Sequence, residues 1–140
     1  MQVTTELHFA PQAGQRAGLV IRGNEQNHYQ LLLQSAGGEG EAERRVSLLT
    51  RINGTARVVA EHAVAEGPVV LGVEGFAERY DFFVETSDGQ RLALGSAPTT
   101  PFSYERTQSF TGAFVGLHAQ AEAPTEASVA DFAWFEYRPL

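Results

Sequence analysis

Apolar and polar residues alternate along this chain in short runs with a period of two. Val3, Thr5, Leu7 and Phe9 are separated by polar neighbours, which predicts a strand with one buried face. Ala17–Arg22 and His28–Gln34 repeat the pattern around Gly23-Asn24-Glu25-Gln26-Asn27, a stretch of turn composition. Arg45–Ile52 and Thr55–Glu61 flank Asn53-Gly54. That dipeptide predicts a hairpin, because both central residues of the tight turn need positive φ. Pro68–Glu74 and Arg79–Glu85 form a further pair, and Asp88-Gly89 turns the second of these into Arg91–Gly95. Thr111–Ala119 and Val129–Arg138 complete the series. About ten strands at this spacing predict an all-β, two-sheet antiparallel sandwich, with residues 1–140 as one domain.

No segment holds a helical period. Glu39–Arg45 contains helix formers, but Gly37-Gly38 and Gly40 break it. Ser35–Glu43 and Gln120–Ser128 are small and acidic and read as loops at the ends of the sandwich.

Composition narrows the classes of function. A length of 140 residues is enough to bury one core. The chain has no cysteine, which removes disulfides, thiolate metal sites and a cysteine nucleophile. Its formal net charge is −7, and every one of its ten basic residues is arginine. Arg44-Arg45 is the only adjacent basic pair and sits behind Glu39, Glu41 and Glu43, so nucleic acid is not an expected partner. No apolar run approaches the ~18 residues of a membrane helix, and no membrane partner is expected. Met1-Gln2-Val3-Thr4 leads straight into the first strand pattern without a secretory signal, so the expectation is a cytoplasmic location or a targeting segment that has been cut away.

Candidate chemistry is sparse. Glu39, Glu41 and Glu43 would share one face of a strand, as paired acids do in some β-sandwich glycanases. Their neighbours are glycine and alanine, with no apolar cleft to raise one pKa, so a solvated acidic loop is the better reading. His8, His28, His62 and His118 lack metal-pair spacing. Asp81, Asp88 and Asp131 are scattered, which argues against a calcium site while leaving backbone carbonyl ligation open. No cofactor and no metal are expected. There is no Gly-x-Ser-x-Gly elbow and no phosphate-loop lysine, and no catalytic residue is nominated.

The aromatics gather late, from Phe102, Tyr104 and Phe110 through Phe114 to Phe132, Trp134, Phe135 and Tyr137. Burial is worth roughly 1.5–3 kcal/mol per side chain, so the default expectation is a core stocked by these last strands. Phe114 and Phe132 are expected inside. On the last strand Phe132, Trp134 and Glu136 should face one way, with Phe135 and Tyr137 facing the other.

Two stretches carry a family resemblance. Phe110-Thr111-Gly112-Ala113-Phe114-Val115-Gly116, followed by Ala130, Phe132, Phe135 and Tyr137, resembles the end of the C-terminal concanavalin A-like sandwich of glycoside hydrolase family 43 β-xylosidases. The Ala-Gly-Leu-Val strand at Ala17–Val20 is similar to that domain, as is Tyr29 on the following strand. So is Phe102-Ser103-Tyr104-Glu105 before the Phe-Thr-Gly turn, with Phe102 in place of a leucine. The resemblance runs in order over about residues 3–138 and implies a jelly-roll sandwich. In that family the catalytic acids lie in a separate five-bladed propeller that precedes the sandwich. The resemblance therefore implies a non-catalytic accessory domain that packs on a family 43 propeller. It also implies a loop aromatic at the rim of a pocket for xylo- or arabino-oligosaccharide. Phe110, Phe102 and Tyr104 are the candidates for that contact, with Trp134 a further carbohydrate or domain-interface candidate. Ser109 departs from members that carry an aromatic there. The family sandwich usually begins some tens of residues upstream, so this chain is either a fragment or a shorter relative that closes its sheet differently, and missing strands would leave a sheet edge open to a second copy. Two other readings remain open. One is a free-standing lectin-like module using Trp134 and Tyr104. The other is a glycanase acting through Glu41 and Glu43.

Overall fold

The computed structural model describes residues 1–35, 43–102, 113–122 and 129–139. Ten strands appear among them: β1 (Gln2–His8), β2 (Gln15–Asn24), β3 (Asn27–Ser35), β4 (Arg44–Ile52), β5 (Thr55–Val64), β6 (Val69–Gly75), β7 (Arg79–Glu85), β8 (Arg91–Pro98), β9 (Phe114–Ala121) and β10 (Asp131–Arg138). A single 3-10 turn at Thr100–Phe102 follows β8. Every strand predicted from alternation is present, within a few residues at its ends. Asn53 and Gly54 both take positive φ, at 50° and 82°, as the tight hairpin turn requires.

The strands form two antiparallel five-stranded sheets. The front sheet has the order β10-β1-β6-β7-β8, and the back sheet has the order β5-β4-β3-β2-β9. The inward set of each strand is aliphatic: Val3 and Leu7 on β1, Leu19 and Ile21 on β2, Leu31 and Leu33 on β3, Val46 and Leu48 on β4, and Leu71 and Val73 on β6. Alternation is what makes this core, because a period of two puts each run's apolar members on the face where the sheets meet.

Of the late aromatics Phe102 joins that core, but those of the last two strands do not stock it. β9 and β10 are the edge strands of their sheets on the same side of the sandwich. Phe114, expected inside, pairs with Arg22 on the outer face of the back sheet and is 78 % exposed. β10 carries a bulge opposite Glu6/Leu7, so Phe132 pairs with Leu7 while Trp134 pairs with Glu6. The extra residue puts Phe132 and Trp134 on opposite faces, contrary to simple alternation. Phe132 is half-buried against the core, whereas Phe135 and Tyr137 point toward the space between the sheets yet remain exposed. An edge strand has a neighbour on one side only, so hydrophobicity alone does not bury it.

Candidate functional site

The sandwich has two ends. One gathers Met1, the β2–β3, β4–β5 and β6–β7 turns, the 3-10 turn and the start of β9. Four rings meet there. Tyr29 stands edge-on to Phe102 at 4.9 Å, and to Tyr80 and Phe82 at 6.2 Å each. Tyr80 and Phe102 are 6.0 Å apart. Edge-to-face pairs of this kind add about 0.5–1.5 kcal/mol each beyond their buried area. Gly23 makes room for the cluster, since a Cβ there would sit 2.7 Å from the Phe102 ring.

Hydrogen bonds fix the chain that leads into this cluster. The Tyr29 hydroxyl donates to the Pro98 carbonyl at 2.6 Å, and Thr99 Oγ1 donates to the Ala77 carbonyl at 2.8 Å. The Thr99 amide donates to the Glu78 carbonyl at 3.0 Å. Burial pushes the Tyr29 phenol far above its ordinary value, and Tyr80 upward as well. Both phenols stay protonated at neutral pH and serve as structural groups rather than acids or bases.

Of the four side chains singled out in the sequence, Phe102 is 5 % exposed, with its ring spent on the chain's own core. It fixes the point from which residues 103–112 depart. Tyr104 and Phe110 lie outside the described residues, as do Ser109, Glu39 and Glu41. Trp134 is 42 % exposed on the outer face of the front sheet.

Two described carboxyls, Asp81 and Asp88, are pulled below their ordinary range. Asp81 is held below the usual carboxylate range by the Ser96 hydroxyl at 2.6 Å and by Arg79, and Asp88 is lowered by Thr86 and the Gln90 amide. Both shifts run opposite to what a proton donor in glycoside cleavage needs. Among the described residues, no group of three or more His, Asp or Glu is placed to hold a metal ion. No helix among them is long and apolar enough to cross a membrane.

At the other end lies a cleft of about 420 Å³ lined by His8, Phe9, Pro11, Arg44, Glu66 and Pro68. Arg44 is buried and donates to the Phe9 carbonyl at 2.8 Å, to the Gly67 carbonyl at 2.7 Å and to the Ala65 carbonyl. Desolvation lowers its pKa and Glu66 opposes the shift. Arg44 thus ties the loops after β1 and β5 together. The adjacent pair Arg44-Arg45 hid this role. Its signal was register, because Arg44 shares the inward set with Val46 and Leu48 while Arg45 points out.

The family model for the beta xylosidase C-terminal concanavalin A-like domain matches residues 1–138. The chain belongs to that family. A curated relative, the non-reducing end alpha-L-arabinofuranosidase BoGH43B of Bacteroides ovatus, is 30 % identical over 141 residues, covering 100 % of this chain and 26 % of that protein. The solved Bacteroides ovatus xyloglucan PUL GH43B superposes with a TM-score of 0.89 at 27 % identity, over 99 % of this chain and 27 % of that one. A xylan beta-1,4-xylosidase from Bacillus halodurans shares the fold, with a TM-score of 0.87 at 24 % identity over 99 % of this chain and 27 % of its own. This concanavalin A-like domain therefore spans about a quarter of the length of the relatives it matches.

Proposed function

We propose that this chain is the accessory sandwich of a family 43 glycosidase of the β-xylosidase or arabinofuranosidase type. It is non-catalytic by itself. It packs on a propeller catalytic domain with the end that carries the Tyr29–Phe102 cluster. Phe110, in the segment that follows Phe102 in sequence, is the side chain that contacts the sugar pocket. The observation that carries this reading is the rigid departure point: Phe102 is locked among Tyr29, Tyr80 and Gly23, immediately before that segment. A loop can place a side chain for binding only when its root is fixed. Met1 lies at the same end, with its ammonium donating to the Gly75 carbonyl at 3.0 Å. A catalytic portion preceding this domain, as the longer relatives suggest, would join there.

The test joins this sandwich to its propeller in one polypeptide and replaces Phe110 by alanine. The expected result is a higher KM or lower kcat on aryl xylosides or arabinofuranosides, with an unchanged melting temperature. Unaltered kinetics would remove the pocket role. The 140-residue chain alone should show no turnover, and turnover there would overturn the accessory reading altogether.

A further inference from the structure

The outer face of the back sheet has a charge opposite to that of the chain. Arg16 and Arg22 on β2 and Arg45 and Arg51 on β4 all point outward, since each alternates with the buried inward set. Among the described residues of β2, β3, β4, β5 and β9, the one carboxylate on this face is Glu61. Arg45 Nε is 3.6 Å from it, short of a hydrogen bond. A protein of net charge −7 has concentrated four arginines on one surface, where Arg45 pairs with Glu61 and Arg16 hydrogen-bonds the neutral Gln120 amide at 3.2 Å. Strand spacing sets the four guanidinium roots at the corners of a patch about 10 Å by about 20 Å.

One row of this face is organised for more than charge. Phe114, Arg22, His28 and Arg51 are successive cross-strand partners on β9, β2, β3 and β4. The row is about 14 Å long at the ordinary strand spacing. Phe114 offers an open ring, and Arg22 is exposed beside it. Arg51 is held by a 2.9 Å hydrogen bond to the Gly54 carbonyl, and His28 Nδ1 sits 3.4 Å from the Asn24 carbonyl. The neighbouring row carries Gln30, whose amide both donates and accepts, between Val20 and Leu49.

We propose that this face binds a polysaccharide bearing carboxylates, with Arg22 and Arg51 taking a uronate carboxylate and Phe114 stacking on a sugar ring. An acidic protein surface fits less well. A protein interface needs a contiguous apolar centre, and here Leu32 is already fully covered, Val20 and Leu49 are partly buried, and the exposed Phe114 and Val58 lie on strands at opposite edges of the sheet. Amides, imidazole and guanidinium around a single exposed arene instead match a hydroxyl-rich, anionic chain. Arginine is suited to the carboxylate because its planar fork meets both oxygens.

The test uses the 140-residue chain with no propeller present, so it stands or falls separately from the docking reading. Native affinity gels and calorimetry compare sodium polygalacturonate with its fully methyl-esterified form and with poly-L-glutamate. Polygalacturonate should retard the chain, and esterification should abolish this. Arg22→Gln and Phe114→Ala should each weaken binding about tenfold or more, the loss expected for one charge-assisted contact or one stacked ring. Both side chains are exposed, and matching melting curves will verify that the variants fold. In the complex the His28 imidazole should titrate at higher pH than in the free chain. No retardation, equal binding to poly-L-glutamate or to the ester, or an undiminished Phe114→Ala variant would each overturn the proposal.

Discussion

The two outer faces solve the same packing problem and arrive at opposite electrostatics. On the front sheet Phe83 lies over Gly72, and the Arg91 guanidinium covers the ring 3.6 Å from its centroid. Arg91 in turn pairs with Glu74 and lies 4.0 Å from Glu85. Arg79 meets Asp81 at 3.0 Å, and Arg138 meets Glu136 at 2.7 Å. On the back sheet Leu32 is likewise fully buried outside the main core, opposite Gly18. Around it the cations outnumber the acids. A sheet face that has only to stay soluble can give each arginine a carboxylate partner, as the front does. Keeping Arg16, Arg22, Arg45 and Arg51 beside one glutamate forgoes that balance, and this asymmetry is why the back face is the one read as a binding surface.

The glycines beneath these two covered side chains offer the sharpest contrast. A Cβ on Gly18 would overlap the Leu31 carbonyl oxygen, which belongs to the backbone of the paired strand. A Cβ on Gly72 would overlap the Phe83 ring, and a ring can shift. Gly18→Ala should therefore cost about 3 kcal/mol or more, whereas Gly72→Ala should fall within about 1–3 kcal/mol. Denaturant unfolding of both variants measures the difference. Equal losses would mean that the back sheet relaxes as easily as the front.

Removing an arginine should also separate the faces. Arg91→Gln loses a ring contact and two exposed ion pairs, together worth about 1 kcal/mol after solvent screening. Arg22→Gln relieves repulsion from Arg51 and His28 and should leave stability within about ±0.5 kcal/mol, with any change toward greater stability at low salt. A large destabilisation in Arg22→Gln would show that the back-face cations serve the fold. That outcome would remove the case for a ligand.

Alternation made the fold legible, because a buried face writes itself into sequence with a period of two. The hairpin at Asn53-Gly54 was legible for a local reason, its two positive φ angles. The interior was misjudged where position in the sheet outweighs composition. Phe114 and Phe135 are as apolar as any core residue, yet β9 and β10 are edges, and nothing local marks a strand as an edge. The bulge in β10 was equally silent, and it reversed the face of Trp134 relative to Phe132. The back-face arginines lie far apart in sequence and become neighbours only through pairing of β2, β3 and β4. A search for adjacent basic residues could find only Arg44-Arg45, one of which is buried structure.

The smallest expected effect is a pH dependence centred on His28. Burial is the main cause of its lowered pKa, the hydrogen-bonding contact with the Asn24 carbonyl opposes it, and Arg51, Arg22 and His118 add to the lowering. The folded chain therefore binds this proton less readily than the unfolded chain, whose imidazole titrates near the ordinary 6.5. As pH falls through that value toward the folded pKa, the unfolded state takes up more protons, so stability present above it is progressively lost. His28→Gln should flatten the stability curve between about pH 7 and about pH 5 while leaving its neutral plateau nearly unchanged. Replacing Arg51 with glutamine should raise the His28 pKa, read from its ring proton resonances, because one repelling charge is gone. A His28 pKa at or above 6.5 in the free chain would show that the back-face cations do not act as one cluster.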